Sequence, residues 1–128
     1  MQQQLFLALL VGIGGGTGSI CRYGVSLAMQ RFMLTWPAAT LTANVIGCFV
    51  IGIVTTFAGR GGVAPEVRLA LATGFCGGFT TMSSMIYETA SMARTGGYAG
   101  AALYVGATLL LSAAAFFAAG TAVRLFFR

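Results

Sequence analysis

Charged side chains are so sparse in this sequence that they act as its punctuation. Of 128 residues, seven are Arg and two are Glu. The stretches 1–21, 32–59, 69–87 and 95–123 carry no charge at all. A helix that crosses the hydrocarbon core of a bilayer needs about 20 mostly apolar residues, and each stretch is about that long or longer. A water-soluble domain carries about 25% charged residues. This chain carries 7%, with 58% hydrophobic residues and a mean hydropathy of +0.91. Its surface therefore suits lipid, and an all-α membrane protein is expected. The single domain, 1–128, should hold four transmembrane helices, at about 4–30, 38–59, 66–93 and 97–125. Short loops fall near 34–37, 61–65 and 95–97. Pro65 sits in the first turn of the third helix, where its missing N–H is harmless. No basic segment precedes the first apolar run, so a cleaved signal peptide is not expected.

The residue inventory excludes much chemistry. There is no His, Asp or Lys, and the only carboxylates are Glu66 and Glu88. A His general base, a His-centred triad, a Walker A lysine and a Schiff base are all excluded. An enzyme is not expected. The net charge of +5 comes from scattered Arg residues rather than a basic stripe with aromatics, so no nucleic-acid partner is expected. Cys21, Cys48 and Cys76 fall one each in the first three spans and suit small packing residues.

An even number of spans puts both termini on one side. That side carries Arg60, Arg68, Arg124 and Arg128, and the other carries Arg31 and Arg94, with Arg22 a turn or two inside. The positive-inside bias is feeble. Insertion in one orientation and insertion in both are equally compatible with it, and insertion in both would permit an antiparallel homodimer.

Polar groups inside a bilayer need partners or a wet cavity. The first span holds the overlapping pairs Gly12/Gly16 and Gly14/Gly18, which allow close helix approach, within the fold or at a dimer interface. Arg22 suits either a snorkelling side chain or an anion-attracting mouth. Asn44 in the second span suits either a tie between helices or a donor to an anion. The third span reads Gly74-Phe-Cys-Gly77-Gly78-Phe-Thr80-Thr81-Met82-Ser83-Ser84-Met85. Gly-Gly followed by Thr-Thr favours a break in the helix near its middle, at 77–81. A break frees backbone groups at bilayer depth, which must then line an ion site or a wet cavity. Glu88 ends this span. In the fourth span Tyr104, Thr108 and Ser112 recur every four residues and place three hydroxyls in one stripe. Hydroxyl and amide donors are plentiful and intramembrane carboxylates nearly absent, so an anion path is favoured over a cation path.

The chain resembles the Fluc/CrcB family of fluoride channels over essentially its whole length. Three motifs carry the resemblance, in order and at family spacing. They are Gly14-Gly15-x-x-Gly18-x-x-x-Arg22-Tyr23, Thr40-Leu-x-x-Asn44-x-x-Gly47, and the third-span run from Gly74 to Glu88. The resemblance implies passive fluoride export from the cell through two narrow pores in an antiparallel, dual-topology homodimer. That dimer would be a multi-pass protein of the inner (plasma) membrane. It implies that Arg22 belongs to a vestibule, and that Asn44, Ser83, Ser84, Tyr104, Thr108 and Ser112 lie on the anion pathway, with Thr40, Thr81 and Glu88 as polar support. It also implies a structural Na⁺ at the dimer centre, held by the backbone carbonyls of Gly77 and Thr80. One departure stands out. Met82 and Met85 occupy pathway positions where the family usually has Phe. Aromatic ring edges carry partial positive charge, whereas Met offers a flexible thioether, so a differently tuned conductance is expected.

Two other classes fit a four-span chain. A small proton-coupled multidrug exporter needs a carboxylate in the first span, and residues 1–30 contain none. A non-transporting assembly subunit would not need the hydroxyl density of the third and fourth spans.

Overall fold

The structure is a computed structural model and describes residues 1–31 and 37–127. Most of the loop expected near 34–37, and Arg128, lie outside the described residues. Every regular element among the described residues is helical. Helix α1 is Gln2–Gln30 and α2 is Ala38–Ala58. The third span, Pro65–Arg94, is divided. Its first half, α3 (residues 65–79), contains a π-helical stretch, Leu69–Cys76, and its second half is α4, Met82–Arg94. The fourth span is α5, Tyr98–Phe126. These make four helices, among the described residues, long and apolar enough to cross a membrane.

The connections follow from turn chemistry. Pro65 occupies the first turn of α3. The α2–α3 turn closes around Gly61 and the α4–α5 turn around Gly96, glycines with positive φ, +75° and +83°. Gly96 N–H bonds the Ala93 carbonyl and Gly97 N–H bonds that of Met92, at 3.0 Å each, which stops α4 in a Schellman motif.

The helices pack as two parallel pairs. In the first, α1 lies on α3 backbone to backbone. A Cβ on Gly14 would collide with the Ala70 carbonyl oxygen, one on Gly18 with that of Phe75, and one on Gly78 with that of Gly15. Of the two small-residue pairs in α1, Gly14/Gly18 is therefore spent inside the fold. Gly12 and Gly16 have nothing within 4 Å of where a Cβ would stand. In the second pair, α2 lies on α5. Gly52 brings its backbone against Phe116, where an added Cβ would stand 2.5 Å from the carbonyl oxygen, and Thr56 meets Gly120. Ala43, Tyr104 and Ala119 are fully buried. Large apolar side chains such as Ile13, Ile20, Leu110 and Phe117 point outward, as lipid-facing or partner-facing residues do.

Candidate functional site

The third span opens at Thr80 and Thr81. Thr80 has φ −83° and ψ 158°, and Thr81 has φ −152° and ψ 113°, both extended. Gly77 and Gly78 remain helical, Gly78 allowing the close approach of Gly15, while the two β-branched threonines carry the extended backbone. Extended backbone at this depth needs partners, and the fold supplies them from three helices.

From α2, Asn44 takes hold of the Thr81 backbone. Its Oδ1 accepts the Thr81 N–H at 2.7 Å and its Nδ2 donates to the Thr81 carbonyl at 3.2 Å. Gly47, one turn on along the same face, leaves the space that the Thr80 methyl and the Phe79 ring fill. From α1, Arg22 Nε donates to the Gly78 carbonyl at 3.1 Å, and Ser19 donates to the same oxygen at 3.3 Å. Arg22 thus turns back along its helix onto the end of α3. Within the span, Thr81 caps α4: its Oγ1 accepts Ser84 N–H at 3.1 Å and contacts the Ser83 and Ser84 hydroxyls at 3.1 Å.

Glu88 lies two turns below the break and faces the protein. Thr40 donates to its Oε1 at 2.7 Å and Tyr104 to its Oε2 at 2.6 Å. The carboxylate thereby ties α4 to both α2 and α5. In the α5 stripe, Tyr104 and Thr108 are buried, and the Thr108 hydroxyl bonds back to the Tyr104 carbonyl at 2.8 Å. The Ser112 hydroxyl is buried and has no hydrogen-bond partner among the described residues.

These elements enclose a cavity of about 190 Å³ beside the break, lined by Asn44, Thr81, Met85, Thr108 and Ser112 among others. Met82 also borders it but is 62% exposed on the outer face of α4, whereas Met85 is 3% exposed. The two methionines therefore border the same cavity, three residues apart on one helix, Met82 at its open edge and Met85 buried. Ser83 is exposed, and so is Gly77, with nothing near its missing Cβ. Ser19 and Cys48 enter the site without having been singled out for it. A serine three residues before Arg22, on the same helix face, is the signal that marks Ser19.

The break has two electrical ends. The N-terminus of α4 presents the positive end of a helix dipole, which favours an anion, although Asn44 and Thr81 already take the Thr81 and Ser84 N–H groups. The C-terminus of α3 presents carbonyls, which favour cations, and the Arg22 guanidinium occupies one of them. Among the described residues no group of three or more His, Cys, Asp or Glu could hold a metal. At the break itself the groups on offer to an ion are backbone carbonyls and N–H groups, the Asn44 amide and hydroxyls.

The sequence model of the family described as "CrcB-like protein, Camphor Resistance (CrcB)" matches residues 9–121. A protein of Chlorobium phaeobacteroides named "Fluoride-specific ion channel FluC" is 50% identical over 97 residues, covering 75% of each chain. One of the same name from Prosthecochloris aestuarii is 43% identical over 106 residues, covering 82% of this chain and 83% of that one. Another from Rhizobium etli is 42% identical over 113 residues, covering 87% and 90%.

Proposed function

The chain belongs to the CrcB family, and on that premise we propose that it is a fluoride channel of the inner membrane, a multi-pass protein that conducts and does not catalyse. The observation that carries the reading is the Ser112 hydroxyl, buried without a partner among the described residues, in a cavity whose other wall is the break clamped by Asn44. A buried unpaired hydroxyl costs roughly 1–3 kcal/mol. A small anion passing that level would supply the missing acceptor. Fluoride is a strong hydrogen-bond acceptor, and hydroxyls, the second amide hydrogen of Asn44 and the N-terminus of α4 are all donors. Carboxylates that would repel it are scarce. Glu66 lies in the first turn of α3, and Glu88 has both oxygens held by hydroxyls.

In this reading Arg22 stands at the vestibule. Asn44, Met82, Ser83, Ser84, Met85, Tyr104, Thr108 and Ser112 flank the path, with Thr40, Thr81 and Glu88 as the scaffold beneath. The working unit is an antiparallel homodimer. The exposure of Met82, Ser83 and Gly77 supports it, because one protomer leaves these residues of the broken span without cover. A structural Na⁺ on the Gly77 and Thr80 carbonyls fits the donor chemistry. Carbonyl oxygens are hard ligands, and Gly77 has open space beside it. Two carbonyls fall short of a full shell for Na⁺, so a second copy would complete the site. The ion would supply positive charge that holds the two α3 ends together.

Fluoride release from proteoliposomes, followed with a fluoride electrode, tests the reading, with chloride-loaded vesicles as control. Voltage-driven fluoride release without chloride release is expected. No fluoride release from folded dimers would limit the family likeness to the scaffold.

A further inference from the structure

We propose that the cleft between the C-terminal ends of α2 and α5 binds the phosphate of an anionic phospholipid headgroup. The cleft encloses about 340 Å³ and is lined by Arg60, Arg124, Thr55, Thr56, Thr121 and Phe117, among others. It follows from the parallel register of the two helices. Gly52 meets Phe116, Thr56 meets Gly120, and four residues further on Arg60 and Arg124 line the same cleft.

Two cations sharing a cleft repel each other unless an anion lies between them. No carboxylate lines this one. The Arg60 guanidinium is positioned by the end of α5, since its Nη1 donates to the carbonyls of Val123 and Phe127. That use leaves further N–H donors of the five on the fork. Arg124, in the last turn of α5, is exposed and has no hydrogen bond or ion pair among the described residues. Thr55 and Thr56 donate to their own helix carbonyls, at 2.7 Å to Ile51 and 2.8 Å to Gly52. The donors toward an anion are therefore the two guanidiniums and Thr121. Guanidinium forks match phosphate oxygens in geometry and charge.

Position selects the lipid over free phosphate. Arg60 and Arg124 lie at the ends of their helices, where headgroups sit. Phe117 lies two turns deeper and is 68% exposed, as a side chain along an acyl chain would be. Basic pockets between helices at the membrane edge take anionic headgroups. A water occupies about 30 Å³, so the cleft has room for a phosphodiester.

The purified protein in detergent is mixed with dioleoylphosphatidylglycerol or dioleoylphosphatidylcholine. Retained lipid is counted by native mass spectrometry and the thermal midpoint is followed. Retention of phosphatidylglycerol with a raised midpoint is expected. Arg124→Gln should weaken that retention about tenfold, the loss of one charged hydrogen-bonding partner, and Arg94→Gln at the end of α4 should leave it unchanged. Equal retention of phosphatidylcholine, or unchanged phosphatidylglycerol retention in Arg124→Gln, would overturn the proposal. Inorganic phosphate raising the midpoint as far as the lipid would assign the cleft to a free anion and overturn it too. So would a photo-crosslinker at position 121 that captures a second copy instead of lipid.

Discussion

Asn44 holds both polar groups of the Thr81 backbone, accepting the N–H at 2.7 Å and donating to the carbonyl at 3.2 Å. One side chain thus replaces the two hydrogen bonds that a continuous helix would have made there. Asn44→Ala leaves both groups unpaired, at roughly 1–3 kcal/mol each. Asn44→Asp keeps the acceptor, loses the donor and adds a negative charge beside an anion path. Both should lower fluoride flux at least tenfold while dimers persist on size-exclusion chromatography. Normal flux in both would remove Asn44 from the mechanism.

Ser112→Ala separates folding from conduction. The hydroxyl has no partner among the described residues, so its removal should leave the thermal midpoint unchanged or slightly raised. If the hydroxyl serves the passing ion, flux should fall about tenfold, the worth of a hydrogen bond to a charged group. A fall in stability without a change in flux would make Ser112 a packing residue.

The glycines of α1 should divide into two classes, and Gly78 of α3 goes with the first. Gly18→Ala drives a methyl into the Phe75 carbonyl, and Gly78→Ala does the same to the Gly15 carbonyl. Overpacking of this kind costs about 1–3 kcal/mol or more, and thermal melting in detergent should show it. Gly12→Ala and Gly16→Ala meet nothing within 4 Å. They should leave the protomer intact or stabilise α1 by up to ~1 kcal/mol. If they weaken the dimer instead, that face is where the copies meet.

Glu88 should couple to its two donors. Thr40→Val and Tyr104→Phe each remove one bond to the carboxylate. Each single change, and Glu88→Gln, should cost about 1–2 kcal/mol in unfolding measurements. A double-mutant cycle of Tyr104→Phe with Glu88→Gln should be non-additive. Additive effects would mean that the 2.6 Å contact contributes nothing to stability.

Met82→Phe places a ring where the side chain is already 62% exposed, and should leave the thermal midpoint of the protomer unaltered. Met85→Phe must fit at a position that is 3% exposed, and should cost about 1–3 kcal/mol unless the adjoining cavity absorbs the ring. Fluoride flux of the two variants, compared with that of the parent, reads out which methionine faces the ion.

The four membrane-length helices are legible in the sequence because charge is costly in lipid and the Arg residues therefore fall near helix ends. The break is legible too and falls within the expected 77–81, but which residues of that range open is not. The Gly77-Gly78 pair draws attention, yet it stays helical because Gly78 is needed for contact with Gly15. The extended residues are Thr80 and Thr81. Nor does sequence alone separate Gly14/Gly18 from Gly12/Gly16, since the two pairs differ only in what lies opposite. Arg22 suits a snorkelling side chain or a mouth residue when read alone. Its bond to Gly78 depends on a carbonyl fifty-six positions away. Asn44 has two readings in the sequence, and the tie between helices is the one the structure shows directly.

The parallel pairing of α1 with α3 and of α2 with α5 bears on how the chain matures as it leaves the ribosome. Neither α1 nor α2 finds its principal neighbour in the helix that follows it. Each must wait in the bilayer for a partner about half the chain away, a high contact order that slows folding. The order of arrival suits the polar groups. Asn44 is already in the membrane when the extended threonines enter, so the interruption in the third helix meets its clamp at once. Glu88 gains Thr40 in the same step but must await Tyr104 on the last helix. A nascent chain stalled before α5 would therefore carry a half-satisfied carboxylate, a state that membrane quality control can recognise.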